Sequence, residues 1–207
     1  MNARTRSDGA LTRGDGIALV VLALAGAVIA AWAVVAAVLR TIEVLRNAAV
    51  PVLAVFEGTP GLAPIGVDGA EVPVVLEQAI ITVPALQPAA VGALVIQQVI
   101  GAGAIVTVVV CLLLIAVSVL RGRVFSRRNT ALVSTAGIVG LLGVALHPFF
   151  GNMGANGAFA LLSEGTFDNV VMSVDLGTLL VLAFVSGLLS TVFAVGHRLQ
   201  RETEGLV

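Results

Sequence analysis

The chain has 207 residues, 58% of them hydrophobic and only 11% charged, with a mean hydropathy of +1.09 and a net charge of −1. Soluble domains carry roughly 25% charged residues, so this chain cannot cover a water-facing surface and most of its side chains must face lipid. Its basic residues are all Arg, with none of the one-sided clustering that nucleic acid needs, and its single cysteine, Cys111, excludes an internal disulfide or a cysteine-based zinc site.

A helix needs about 20 apolar residues to cross a hydrocarbon core of ~30 Å. Residues 1–16 carry Arg4, Arg6 and Arg13, and an apolar run follows over 17–39. These arginines and the small residues Ala30-Ala31-Trp32-Ala33 imitate a cleaved signal peptide. The run is far longer than the roughly 7–15 residues of a signal core, so it reads as an uncleaved first transmembrane helix. Residues 40–92 form an extracytoplasmic segment holding six of the seven prolines. It opens as a continuation of the helix to Ala49 and breaks at Pro51. Asp68-Gly69 suits a tight turn, and the Val- and Ile-rich stretch 72–83 suits short strands. Pro73 and Pro84 keep these from being interior strands.

The second span reads as 93–120 with an outer extension, its unbroken apolar run starting near Val99. A loop over 121–129 is short enough to make spans two and three an antiparallel hairpin, with Asn129 or Thr130 capping span three. Span three covers 130–150. An external loop rich in Gly and Asn covers 151–170, span four 171–196 and a tail 197–207. No Asp, Glu, Arg or Lys interrupts the apolar runs at 17–39, 99–120, 130–150 and 176–195; each would cost about 2.5–3.5 kcal/mol near a helix centre. Nine of the eleven arginines fall in 1–16, 121–129 and 197–207, against Arg40 and Arg46 on the other side. By the positive-inside rule, both termini and the short loop are cytoplasmic. The expected fold is an all-α membrane protein, four transmembrane helices with a small partly β extracytoplasmic segment between helices one and two. There is no internal repeat and no low-complexity linker. The all-arginine bias, with abundant Ala, Val and Gly, fits a GC-rich bacterial coding sequence and hence a bacterial inner membrane.

Few side chains suggest chemistry. His147 and His197 sit at opposite ends of the bilayer and cannot share a metal, so each reads as an interfacial polar residue. Asp175 opens span four, where a carboxylate complements the helix dipole and Ser173 can assist; the alternative is an outer ion or proton site shared with Glu164 or Asp168. Gln97 and Gln98 open span two and complete a candidate outer polar site with His147 and Asp175. Thr107, Ser118, Ser134, Thr135, Ser186, Ser190 and Thr191 can return their hydrogen bonds to the preceding turn. Gly137, Gly140 and Gly143 make a shallow face on span three where a helix can approach closely, with Gly101 and Gly103 as facing candidates. No zinc-protease, serine-hydrolase or phosphate-loop motif is present, and the spans lack the interruptions of transporters. The expectation is a non-enzymatic protein with no cofactor; a pore made of several copies and lined by hydroxyls stays open.

Two stretches carry a resemblance. Gly122-Arg123-Val124-Phe125-Ser126-Arg127-Arg128-Asn129 follows span two, and residues 192–207 close the chain with Phe193, Gly196 and Leu199 at three-residue spacing ahead of an acidic segment. Both resemble the bacterial membrane family named domain of unknown function 2975, with its Gly-x-x-Phe-Ser/Thr-x-x-Asn loop and C-terminal Phe-x-x-Gly-x-x-Leu. The resemblance implies a four-span protein with no known activity, some of whose members are encoded beside a small helix-turn-helix regulator. It thereby implies a role in signalling or regulation. Segment 41–92 has no counterpart in it. In this reading Phe125 dips into the interface while Arg127 and Arg128 meet anionic headgroups, at about 1 kcal/mol each. Leu199 and Leu206 alternate with Arg201, Glu202 and Glu204 in a short helical extension that can dock on the loop or on a partner. The candidate interaction face is Phe125, Arg127, Arg128, Asn129, Gly196, Leu199, Glu202 and Glu204. The expected function is action through a protein partner, with the lipid bilayer as surroundings and self-association open. The alternative is a small channel or transporter subunit using Gln97, Gln98, His147 or Asp175.

Overall fold

The computed structural model describes residues 13–167, 171 and 174–204. Four helices dominate: α1 (Arg13–Arg46), α2 (Pro88–Leu120), α3 (Arg127–Leu162) and α4 (Leu176–Glu204). All four are long and apolar enough to cross a membrane. At 1.5 Å per residue, their 34, 33, 36 and 29 residues give lengths of roughly 43–54 Å. Each is therefore longer than a hydrocarbon core of ~30 Å requires. Large apolar side chains point outward where a soluble protein would bury them: Trp32 and Phe184 are each 70% exposed. These helices are compatible with an integral, multi-pass membrane protein.

Between α1 and α2 lies a two-stranded antiparallel sheet, β1 (Val50–Ala63) and β2 (Val72–Val83). These strands are longer than the short ones expected, and they pair from Val50↔Val83 to Ala63↔Val72 with an irregularity between Val55 and Thr59. Pro51, Pro60 and Pro73 are tolerated because in a two-stranded sheet every strand is an edge, so a missing N–H need not interrupt a ladder. The connection contains a 3-10 turn, Val67–Gly69, with Asp68 at φ 58° and Gly69 at φ 78°. The Asp-Gly pair supplies the left-handed backbone expected of it.

The chain forms two compact units, residues 35–102 with 142–177, and residues 103–141 with those up to 34 and from 178 onward. In the first, Val50, Val52 and Ala54 put one face of β1 into a core with Val44, Val83, Leu86, Ala90, Leu94, Ala155, Ala158 and Phe159. Helix α1 ends at Arg46, not Ala49, because Asn47 (φ 48°) and Ala49 (φ 51°) turn the chain. Asn47 then ties the turn down: its Nδ2 donates to Leu86 O at 3.0 Å and its Oδ1 accepts from Leu86 N at 2.7 Å. Arg40 pairs with Glu43 and donates to Pro51 O. Phe159 lies between Phe56 and Phe167, with ring centroids 5.2 and 5.0 Å away.

Helix α3 corrects one expectation. Residues 151–162 are not loop but its last three turns, and Pro148 sits inside the helix. A glycine-rich stretch looks like a loop in water, yet here small residues let a neighbouring helix approach. Gly154 lies under Leu94, a methyl group on Gly157 would come within 2.6 Å of the Ala90 Cβ, and Gly151 lies under Gln97. Descending numbers on α2 meet ascending numbers on α3, the register of an antiparallel seam.

In the second unit Gly26 of α1 faces Val109 and Leu113 of α2. Ser134 donates to Ser190 Oγ across α3 and α4 at 3.2 Å. Cys111 is buried among apolar side chains.

Candidate functional site

The α2–α3 connection and the adjoining end of α4 hold most of the candidate interaction face. Helix α2 ends at Leu120, and Gly122 takes φ 73° to close it. Gly122 N donates to Val119 O at 2.9 Å and Arg123 N to Ser118 O at 3.0 Å, the paired bonds of a Schellman cap. Ser118 Oγ returns a bond to Arg123 O at 3.1 Å. A side chain at 122 would be strained by the positive φ.

The start of α3 corrects the expected cap. The helix begins at Arg127, three residues early, so Ser126 is its N-cap and its Oγ accepts from Asn129 N at 3.2 Å. Asn129 thereby falls in the first turn, fully buried, and its Nδ2 donates to Arg123 O at 2.7 Å and Val124 O at 2.9 Å. Thr130 Oγ1 donates to Ser126 O at 3.2 Å.

Phe125 does not reach freely toward the interface. Its ring covers Gly196, where an added Cβ would come too close to three ring carbons to fit, and meets Phe193 edge-on at 5.7 Å. His197 Nδ1 lies 3.1 Å from Phe125 O; a carbonyl only accepts, so this nitrogen carries the proton. Phe125 and Gly196 thus hold the loop to α4, and Asn129 ties it to the start of α3. Ser126, Phe193 and His197, absent from the sequence-based face, are part of the same lock. The serine was discoverable from its place three residues before Asn129, and Phe193 from its three-residue offset to Gly196.

Arg127, Arg128, Leu199 and Glu202 remain exposed. An open apolar groove of about 790 Å³ runs beside the lock, lined by Val124, Phe125, Val192, Val195 and Leu199 among others. Arg127, His197, Arg198 and Glu202 border a second cleft of about 370 Å³. The Glu204 side chain and Leu206 lie outside what is described.

The candidate outer residues do not assemble into one site. Gln97 packs on Gly151, and His147 packs on Gly101, where an added Cβ would come within 2.7 Å of its Cδ2. Both fill the α2–α3 seam one helical turn apart. Gln98 is half-buried. Asp175 is the N-cap of α4, its Oδ1 accepting from Gly177 N at 2.9 Å, which is its capping role. Glu164 is exposed at the close of α3 with φ 52°; Asp168 and Ser173 lie outside the described residues. No group of three His, Cys, Asp or Glu side chains forms a metal-binding cluster among the described residues.

The packing glycines divide between two neighbours. Gly137 faces Ser186 of α4, where an added Cβ would come within 2.7 Å of the serine Cβ; Gly140 faces Val108 of α2, where it would stand 3.9 Å away; and Gly143 is buried. Three residues advance a helix by about 300°, so successive glycines step about 60° around α3 and cannot all address one partner. Gly101 does face α3, whereas Gly103 has open space around it. No protein-family model, curated protein or solved structure matches the chain.

Proposed function

We propose that this chain is a non-enzymatic, four-span protein of a bacterial inner membrane, with both termini and loop 121–126 in the cytoplasm, that acts through a protein partner. Membership of the domain of unknown function 2975 family belongs to the same proposal. The observation that carries it is the locked loop. Phe125 and His197 hold the connection against α4 while Ser126 and Asn129 tie it to the start of α3; Arg127, Arg128, Leu199 and Glu202 stay exposed, and Leu199 lines an apolar groove of about 790 Å³. A preformed surface loses little entropy on binding. The apolar groove and the neighbouring cleft bordered by Arg127 and Arg198 suit a partner segment that offers apolar side chains followed by a carboxylate. A signalling or regulatory role follows from acting through such a partner.

The test is purification of the tagged protein from its native membranes, after crosslinking, in mild detergent. A specific partner whose recovery falls at least fivefold with R127Q/E202Q, at unchanged membrane insertion, supports the reading. Recovery of the protein alone as a defined homo-oligomer overturns it. A channel or transporter subunit is the second reading, favoured by Gln97 and His147 lying in candidate spans. Ion or solute flux from proteoliposomes that changes with H147A would carry it; flux no greater than from empty vesicles would end it.

A further inference from the structure

Beside the locked loop, the ends of α2 and α3 enclose a cleft of about 260 Å³ that is separate from the apolar groove on α4. Arg121, Arg123 and Arg128 line it, and no carboxylate does. None of the three guanidinium groups has a protein acceptor among the described residues. Like charges gathered without an anion repel one another, and at the edge of a bilayer that repulsion is less screened than in bulk water. The inner wall is apolar, made by Leu114 and Val117 of α2, the latter 42% exposed. An anion held here would therefore sit above a surface that faces hydrocarbon.

The backbone around the cleft also suits negative charge. Two carbonyls of the last turn of α2 are occupied, Ser118 O by Arg121 N and Arg123 N, and Val119 O by Gly122 N. The Arg123 carbonyl accepts from Ser118 Oγ and Asn129 Nδ2. The cleft also lies at the positive end of the α3 dipole. Arginine forks match phosphate oxygens with paired N–H donors.

We infer that this cleft binds the phosphate of an anionic phospholipid, with Arg121, Arg123 and Arg128 on the phosphate and the acyl chains along Leu114 and Val117. The apolar wall selects a lipid over a free phosphate, since a soluble anion gains nothing from it. Arg127 takes no part, because it borders the other cleft with His197 and Arg198. The site goes beyond the partner reading and stands or falls without it.

The full chain in mild detergent, titrated with phosphatidylglycerol or phosphatidylcholine and read by native mass spectrometry, tests this. One phosphatidylglycerol should be retained at concentrations where phosphatidylcholine is not. At about 1 kcal/mol per basic residue near a membrane surface, each of R121Q, R123Q and R128Q should weaken retention roughly fivefold. R127Q/R198Q, which removes two charges outside the cleft, should change it less than twofold. V117W, which fills the apolar wall and leaves every charge in place, should weaken it as well; this variant keeps the test open if an arginine variant fails to fold. Equal retention of the two lipids would overturn the inference. So would equal losses in R127Q/R198Q, which would mean diffuse surface charge, or inorganic phosphate displacing the lipid at matching concentration, which would mean a soluble-anion site.

Discussion

Asn129 and Ser126 share the work of closing the α2–α3 connection, but unequally. Asn129 is fully buried, and its amide makes two hydrogen bonds to carbonyls of the loop. Replacing it with Ala leaves the Val124 carbonyl without its donor and the Arg123 carbonyl with Ser118 Oγ alone, which costs about 1–3 kcal/mol. Asn129→Asp should cost more, because a carboxylate would face the Arg123 and Val124 carbonyls as one acceptor against two others. Ser126→Ala removes only a cap and should cost about 1 kcal/mol. Thermal unfolding in detergent checks the order: N129D least stable, then N129A, then S126A, then the parent. An N129D protein as stable as the parent would mean that Asn129 does not tie the loop. Part of this was readable beforehand, since a Phe-Ser-x-x-Asn run after an apolar span marks a helix start. Which polar residue caps was not readable. Ser and Asn are both good caps, and the choice depends on where the first helical turn falls. With α3 starting at Arg127, Asn129 turns inward and becomes part of the interior, where it serves no partner.

The seam between α2 and α3 in residues 88–102 and 142–162 depends on small residues at fixed positions. Gly157 faces Ala90, a side chain with no rotamer to change, so Gly157→Ala forces the backbones apart and should destabilise by about 1–3 kcal/mol. Gly103→Ala is the control. It meets open space and should be neutral or gain up to about 1 kcal/mol from helix propensity. Equal effects of the two substitutions on thermal unfolding would contradict the seam. The four charge-free runs announced their helices, because lipid admits few alternatives to a continuous apolar helix. The ends were harder to read. Residues 151–162 carry the Gly and Asn that mark loops in water, and their helical state becomes intelligible only with Gln97, Leu94 and Ala90 lying over Gly151, Gly154 and Gly157. The β-hairpin was half legible. Asp68-Gly69 and the Val- and Ile-rich stretch 72–83 signalled it, while the prolines concealed the length of β1, since nothing local tells a strand that it will have one neighbour.

In the proposed topology the arginine-rich connection after α2 and the proline-rich hairpin after α1 lie on opposite sides of the membrane. Nine arginines follow one side and two the other, an asymmetry that in the positive-inside rule sets orientation. The partner surface and the lipid cleft both use the arginine-rich side, and each requires that 121–126 and the end of α4 share a compartment opposite the hairpin. Impermeant maleimide labelling of single cysteines in intact cells addresses this directly, with native Cys111 replaced by Ala. The account predicts that Asp68→Cys is labelled from outside, whereas Arg123→Cys and Glu202→Cys react only after permeabilisation. Labelling of Arg123→Cys and Asp68→Cys from the same side, or of Glu202→Cys in intact cells, would contradict it.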